Sequence, residues 1–457
     1  MEFTRDIYKR LLDWKRERSG KVLELSGARQ VGKTYILKKF AKENFAHMVY
    51  INMAEISGEQ FLQSLEEAST WVPGTDREEK PVHYALSLFD KNFRDDIENI
   101  IIIDEVQESS KVYNLIRTLA REFECYVIVT GSYLGRLLAK DFFLPAGDLD
   151  SMTMETLTFA EFAGVFGHRE LYDTIDLYGG GDAPDYEVLR ECYKIYQRIG
   201  GYPSVVSTYL THKDFDRCNE EIWRLMSIFI NESKRYFDTV MDTNVFAKLF
   251  HGIAITQIRE KQGVKGLVED LSKIVYKQES GRFTKKMINH AINWLEASHI
   301  IGYAGKSVDC DYLDVKDNAR FYFLDVGIAH YFLKQAGSEE AVIKGIVAEN
   351  FVYVSLLRRV RKDIAGNMPW FGSYQKINGE LDFYVRSLAD QRDYGIEVKS
   401  ESGEGRTARA LLADKKIDYL YYLKGASNGG IAEDGIVRTV PLYLVDRISF
   451  ALGNNRV

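Results

Sequence analysis

The first third of the chain carries its apolar residues in short continuous runs separated by polar turns: Lys21-Val-Leu-Glu-Leu25, Met48-Val-Tyr-Ile-Asn-Met53, Ile100-Ile-Ile-Ile103 and Tyr126-Val-Ile-Val-Thr130. A run without polar alternation suits a strand covered on both faces, which is the condition of a parallel sheet flanked by helices. Between the runs, Lys111 to Phe123 repeats with helical spacing, and a helix is expected from Lys33. Strand and helix therefore alternate, and the pattern predicts a parallel, doubly wound α/β sheet over residues 1–165.

Beyond Leu157-Thr-Phe-Ala-Glu-Phe162 the strand pattern stops. Gly179-Gly-Gly181 marks a loop, and residues 166–235 read as a helical lid or linker interrupted by Gly200-Gly-Tyr-Pro203. Residues 236–335 hold helical segments followed by strand-like Ile300-Ile-Gly-Tyr303 and Arg320-Phe-Tyr-Phe-Leu324, the order of a winged helix. Its third helix, capped by Thr284, has Arg282, Lys285 and Lys286 near its start, where a recognition helix meets DNA. The alternative is a module that packs on protein, with those lysines in solvent. Residues 336–457 complete the chain as a fourth, α/β region.

The turn after the first run reads Gly27-Ala28-Arg29-Gln30-Val31-Gly32-Lys33-Thr34, a complete G-x-x-x-x-G-K-[ST] loop between a strand and a helix. Gly27 and Gly32 let backbone N–H groups curl around a polyphosphate. Lys33 reaches the β- and γ-phosphates, and the Thr34 hydroxyl is placed to ligate Mg²⁺. ATP and Mg²⁺ are the expected ligands.

Hydrolysis needs a carboxylate to organise the metal and a second group to orient water. Asp104 and Glu105 follow the isoleucine run, at the carboxyl end of their strand, where open α/β sheets place ligands. Asp104 is expected to hold Mg²⁺ through water, and Glu105 to polarise the attacking water. Thr130 or Ser132, at the end of the neighbouring strand, is the candidate sensor of the γ-phosphate, and Arg136 the candidate arginine finger, with Arg117 second. A strand inserted between the loop strand and the acidic strand, together with Glu105, points to an ATPase rather than a GTPase.

Near the C-terminus, Ile377-Asn-Gly-Glu-Leu-Asp382-Phe-Tyr-Val-Arg386 and Tyr394-Gly-Ile-Glu397-Val-Lys399-Ser400 read as adjacent antiparallel strands. Asp382, Glu397 and Lys399, with Glu349 from an earlier helix, are the residue types of a metal-dependent phosphodiesterase, in which carboxylates hold Mg²⁺ and the lysine supports the charged transition state. Arg406 and Arg409 are the nearest cations for a scissile phosphate. The bland reading is a hairpin with a surface ion pair.

Composition narrows this picture only slightly. At 457 residues the chain is too long for one core. A net charge of −7 excludes a globally basic nucleic-acid surface but leaves room for a local patch. Cys125, Cys192, Cys218 and Cys310 form no C-x-x-C pair, so they read as buried thiols. No signal-peptide pattern or long apolar run occurs, so the expectation is a cytoplasmic protein without a membrane partner.

Together the loop, Ile-Ile-Asp-Glu, Thr-Gly-Ser, Phe-Ala-Glu-Phe, Gly-Gly-Tyr-Pro, Phe-Leu-Asp-Val-Gly-Ile and Glu-Leu-Asp-Phe…Ile-Glu-Val-Lys resemble a bacterial and archaeal family. Its members join an AAA-type P-loop ATPase domain to a C-terminal restriction-endonuclease-like domain of unknown function. The resemblance implies ATP and Mg²⁺ at Gly32, Lys33, Thr34, Asp104 and Glu105. Many members carry Gly-Arg where this chain has Gly147-Asp148, so no catalytic arginine transfers there. Two functions compete: an ATPase moving its winged-helix and nuclease-like parts on DNA, and a nucleotide-operated signalling switch whose C-terminal part is an inactive protein-binding scaffold. A homo-oligomer is the remaining partner class.

Overall fold

The computed structural model describes residues 2–70, 80–132, 140–143, 145, 147–233, 244–261, 285–314, 319–401 and 403–455. Arg136, Arg282 and Thr284 lie outside them. The chain divides into two compact units: a first unit of Arg5–Thr156 with Ala297–His299, and a second of Met1–Thr4, Leu157–Glu296 and Ile300–Val457.

The first unit is built on β1 (Val22–Ser26), β2 (His47–Asn52), β3 (Asn99–Asp104), β4 (Tyr126–Thr130) and β5 (Leu149–Thr153), in the order β2-β3-β4-β1-β5. All four pairings are parallel. Every residue of β3 is buried, as the isoleucine run requires. Ile101 and Ile103 pack with Val49, Ile51, Val127 and Val129 in one hydrophobic cluster, while Ile100 and Ile102 alternate to the other face and are also fully buried. Each such side chain contributes roughly 1.5–3 kcal/mol relative to exposure.

β4 separates the loop strand β1 from the acidic strand β3, the insertion expected of an ATPase core. The fifth strand was not expected: Leu-Asp-Ser-Met-Thr has little apolar signal because it forms the sheet edge beside β1. Helix α1 (Ile7–Glu17) precedes β1, and α2 (Lys33–Asn44) follows the loop. The single helix expected over Lys111–Phe123 is two short ones, α5 (Ser110–Tyr113) and α6 (Ile116–Glu122), after α3 (Ile56–Ser69) and α4 (Pro81–Phe89).

The second unit opens with α7 (Phe159–Val165), α8 (Arg169–Thr174), α9 (Ala183–Ile199), α10 (Pro203–His212), α11 (Phe215–Ser233), α12 (Asn244–Lys261) and α13 (Lys285–Ala297). Strand β6 (Ile301–Val308) pairs antiparallel with β7 (Tyr312–Leu313) and β8 (Arg320–Phe323). Helices α14 (Val326–Gln335) and α15 (Glu340–Leu357) lead to β9 (Trp370–Tyr374), β10 (Gly379–Arg386) and β11 (Asp393–Lys399), an antiparallel meander. Then α16 (Arg406–Ala413) crosses to β12 (Tyr419–Lys424), parallel to β11. β13 (Gly430–Ile431) and β14 (Val437–Pro441) complete the sheet. β6 also pairs in parallel with β9, so one sheet runs through the boundary expected between residues 335 and 336.

Two of the sequence motifs meet inside this unit. Asp325 caps α14, accepting hydrogen bonds from Gly327 N and Ile328 N at 2.9 and 3.2 Å, and takes another from Gly201 N at 2.9 Å. A Cβ on Gly200, whose φ is +69°, would sit 2.0 Å from that carboxylate, and one on Gly201 2.2 Å from Leu157 O. Gly-Gly-Tyr-Pro and Phe-Leu-Asp-Val-Gly-Ile are two halves of one backbone junction.

Candidate functional site

The nucleotide loop is shaped by its glycines and by the chain that follows β5. Gly27 (φ +141°) and Gly32 (φ +100°) hold positive φ, and Gln30 (φ +63°) joins them at a cost that glycine avoids. Gly27 also lies so close to Met154 that a Cβ would be 2.1 Å from the Met154 carbonyl oxygen. Buried Arg5 donates to Val31 O at 3.0 Å and to Glu155 O at 2.6 Å, tying the loop to the same segment. Arg5 stands outside every motif, and no sequence signal marked it.

Lys33 is buried and donates to Gly27 O at 2.8 Å, Ala28 O at 2.9 Å and, more loosely, Ser132 Oγ at 3.4 Å. Burial brings its pKa down to about 8. The carboxylates of Glu105 and Asp104 oppose that fall, and Arg29 adds to it. Thr34 Oγ1 donates to Asp104 Oδ2 at 2.6 Å, and the Tyr50 hydroxyl donates to the same oxygen at 2.9 Å. Burial and the Asp104 charge raise the Tyr50 pKa, so the phenol stays a donor. A hydroxyl and a carboxylate in contact are the donor set Mg²⁺ takes, and they fit a metal held between Thr34 and Asp104.

Glu105 takes φ +49°, which turns its carboxylate toward the end of β4. Oε2 accepts from Gln107 Nε2 at 2.6 Å and Ser132 N at 3.3 Å; Oε1 accepts from Ser132 Oγ at 3.3 Å and lies 4.0 Å from Arg29. Ser132 thus touches both Lys33 and Glu105, whereas buried Thr130 gives its hydroxyl to Leu25 O at 2.7 Å, across the β1–β4 pairing. Of the two sensor candidates, only Ser132 faces the charged groups. Arg117 lies 3.4 Å from Asp148, which Arg121 also grips with two hydrogen bonds of 3.1 Å.

In the second unit, Lys399 Nζ donates to Glu397 Oε1 at 2.6 Å, and Asp382 Oδ2 accepts from Val398 N at 2.7 Å. The pairing Phe383↔Ile396 sets the register that carries Asp382 alongside Glu397. Gly405 closes over this pair: its Cβ would lie 2.4 Å from Glu397 Oε1. Glu349 is engaged differently. It accepts from the Tyr322 hydroxyl at 2.8 Å and lies 3.7 Å from Arg320, which also bridges Glu260 and Glu380 and stacks over Phe371 at 3.9 Å. Among the described residues no group of three or more His, Cys, Asp or Glu is disposed to hold a metal ion. Arg406 and Arg409 lie on α16, with Arg409 paired to Glu404.

The family model described as an AAA domain matches residues 19–163. An uncharacterized protein of Haemophilus influenzae is 22% identical over 418 residues, covering 86% of each chain. Among solved structures, a Walker-type ATPase of Pyrococcus abyssi is 16% identical and covers 72% of this chain and 96% of its own, with a TM-score of 0.45. The Aeropyrum pernix ORC2 protein, in ADPNP and ADP complexes, is 12% identical and covers 75% and 93%, with a TM-score of 0.33. No described helix is long and apolar enough to cross a membrane. The loop, the five-stranded parallel sheet and the family match agree: residues 19–163 match an AAA-type P-loop domain.

Proposed function

We propose that this domain binds Mg²⁺-ATP and hydrolyses it, and that the nucleotide cycle drives the winged-helix and nuclease-like parts of the chain on DNA. The observation that carries the first half is the convergence of Lys33, Thr34, Asp104, Glu105 and Ser132 at the carboxyl ends of β1, β3 and β4. Lys33 would meet the β- and γ-phosphates, Thr34 and Asp104 would hold Mg²⁺, and Glu105 would orient the attacking water. Bound Mg²⁺ supplies charge neutralisation between the phosphates.

The DNA half rests on order along the chain. Helix α13 precedes the antiparallel pair β6 and β8, which supports a winged helix, and the meander β9–β11 joined through α16 to parallel β12 supports a nuclease-like module. Arg320 among Glu349, Glu380 and Glu260 favours a module that binds rather than cleaves, because a guanidinium already neutralises the helix carboxylate.

One turnover assay tests both halves. Mg²⁺-dependent ATP hydrolysis that rises several-fold with double-stranded DNA supports the reading. Hydrolysis unchanged by DNA, together with a stable ATP-bound oligomer, transfers the chain to the signalling-switch class. Absence of ATP binding overturns both.

A further inference from the structure

Gln107 lies two residues beyond Glu105, inside a one-turn 3₁₀ helix of Val106–Glu108. The left-handed Glu105 backbone starts that turn, and Glu108 N donates back to Glu105 O at 2.9 Å. The turn places the Gln107 amide beneath its neighbour's carboxylate, where Nε2 donates to Oε2 at 2.6 Å. This is the tightest contact Glu105 makes; its bonds to Ser132 are 3.3 Å.

The surroundings of Gln107 give this bond its meaning. The side chain is 1% exposed, and its amide oxygen Oε1 is buried with no hydrogen-bond partner among the described residues. Burying a polar atom without a partner costs stability, and an apolar side chain of the same length would avoid that cost. A glutamine there pays for itself only through what Nε2 does. What it does is hold one oxygen of Glu105, leaving Oε1 directed at Ser132 Oγ with long contacts that a water can replace.

We propose that Gln107 is a positioning residue: it fixes Oε2 of Glu105 so that Oε1 presents to the attacking water beside Ser132. This rests on the ATP-hydrolysing reading above. A carboxylate held by one short bond at one oxygen loses the rotation that would let both oxygens compete for the water, and orientation of that kind is worth large factors in rate.

The test compares wild-type chain, Gln107→Met and Glu105→Gln by steady-state ATP turnover, ATP affinity and thermal unfolding without nucleotide. Gln107→Met is expected to lower kcat about 10-fold or more, to leave KM and ATP affinity within about 2-fold, and to keep or raise the unfolding temperature. A structural role alone would do the reverse, lowering the unfolding temperature with kcat intact. Wild-type kcat in Gln107→Met, alongside a crippled Glu105→Gln, overturns the positioning role while the ATPase reading stands. Wild-type chain that binds ATP but never turns it over overturns both.

Discussion

Thr34 and Asp104 are joined by a hydrogen bond of 2.6 Å although 70 residues separate them in the chain. The bond links the start of α2 to the end of β3, and it exists because β1 and β3 are two strands apart in a sheet whose ligand edge gathers their carboxyl ends. Under the proposed function, Thr34 would meet Mg²⁺ directly and Asp104 would hold it through water.

Under the proposed function, Lys33 should make nucleotide affinity pH-dependent. Its ammonium is the form that meets phosphate, and burial brings its pKa to about 8. Below pH 8 the cation is present and ATP affinity should be flat. Above it, the apo protein must take up a proton to bind, so affinity should fall by about tenfold per pH unit. Calorimetry from pH 7 to 9.5 in buffers of different ionisation enthalpy would reveal the proton uptake, and Lys33→Ala should show no ATP binding at any pH. A flat affinity to pH 9.5 would refute the assignment of Lys33 as the buried phosphate cation.

Glu105→Gln keeps the shape of the side chain and removes its charge. ATP binding should persist while turnover drops by roughly 10²-fold or more, the scale of a positioned acid or base. Binding by fluorescence and turnover by phosphate release separate the two, and near-normal turnover would move the water-orienting role to another residue.

Gly200→Ala tests the junction in the second unit. The added methyl would meet Asp325 Oδ1 at 2.0 Å, and the backbone φ of +69° already disfavours a side chain. Overpacking and backbone strain together should cost at least about 2 kcal/mol. Asp325→Asn keeps the size but sets an amide NH₂ against one of the backbone N–H donors that both oxygens now accept, and should cost about 1–3 kcal/mol. Denaturant unfolding of both variants checks these costs, and wild-type stability in Gly200→Ala would show that the close approach relaxes freely.

His330 gives the second unit an acid limit. Neither ring nitrogen has a partner among the described residues, and burial brings its pKa from 6.5 to about 4, with Glu340 opposing and Arg198 and Lys334 assisting. Above pH 6.5 the histidine is neutral folded and unfolded, and its contribution is complete. As pH falls from 6.5 toward 4 only the unfolded chain takes the proton, so stability is lost, by on the order of 3 kcal/mol at about 1.4 kcal/mol per unit. His330→Leu should flatten that part of the pH–stability curve. A curve of unchanged slope would place the acid sensitivity elsewhere.

The loop and the acidic strand were legible in the chain itself because their chemistry is local. Eight consecutive residues carry the glycines, the lysine and the hydroxyl, and four isoleucines in a row suit a strand covered on both faces. The expected run of Tyr126 to Thr130 is the observed β4, and the expected inner strand between the loop strand and the acidic strand is present.

Tertiary structure decided what long separations control. β5 is a strand only because β1 offers it an edge; its own sequence has no apolar period. Thr130 spends its hydroxyl on Leu25 because β4 and β1 are neighbours, whereas the Ser132 hydroxyl meets Glu105. Glu349 lies against Arg320 because α15 packs near β8, and nothing near residue 349 foretells a guanidinium from residue 320. Arg5 reaches the loop across 26 residues and Glu155 across 150. Local motifs carry backbone conformation and residue type, whereas the partner of a buried charge is chosen by which strands and helices become neighbours, and that choice is made by the whole core at once.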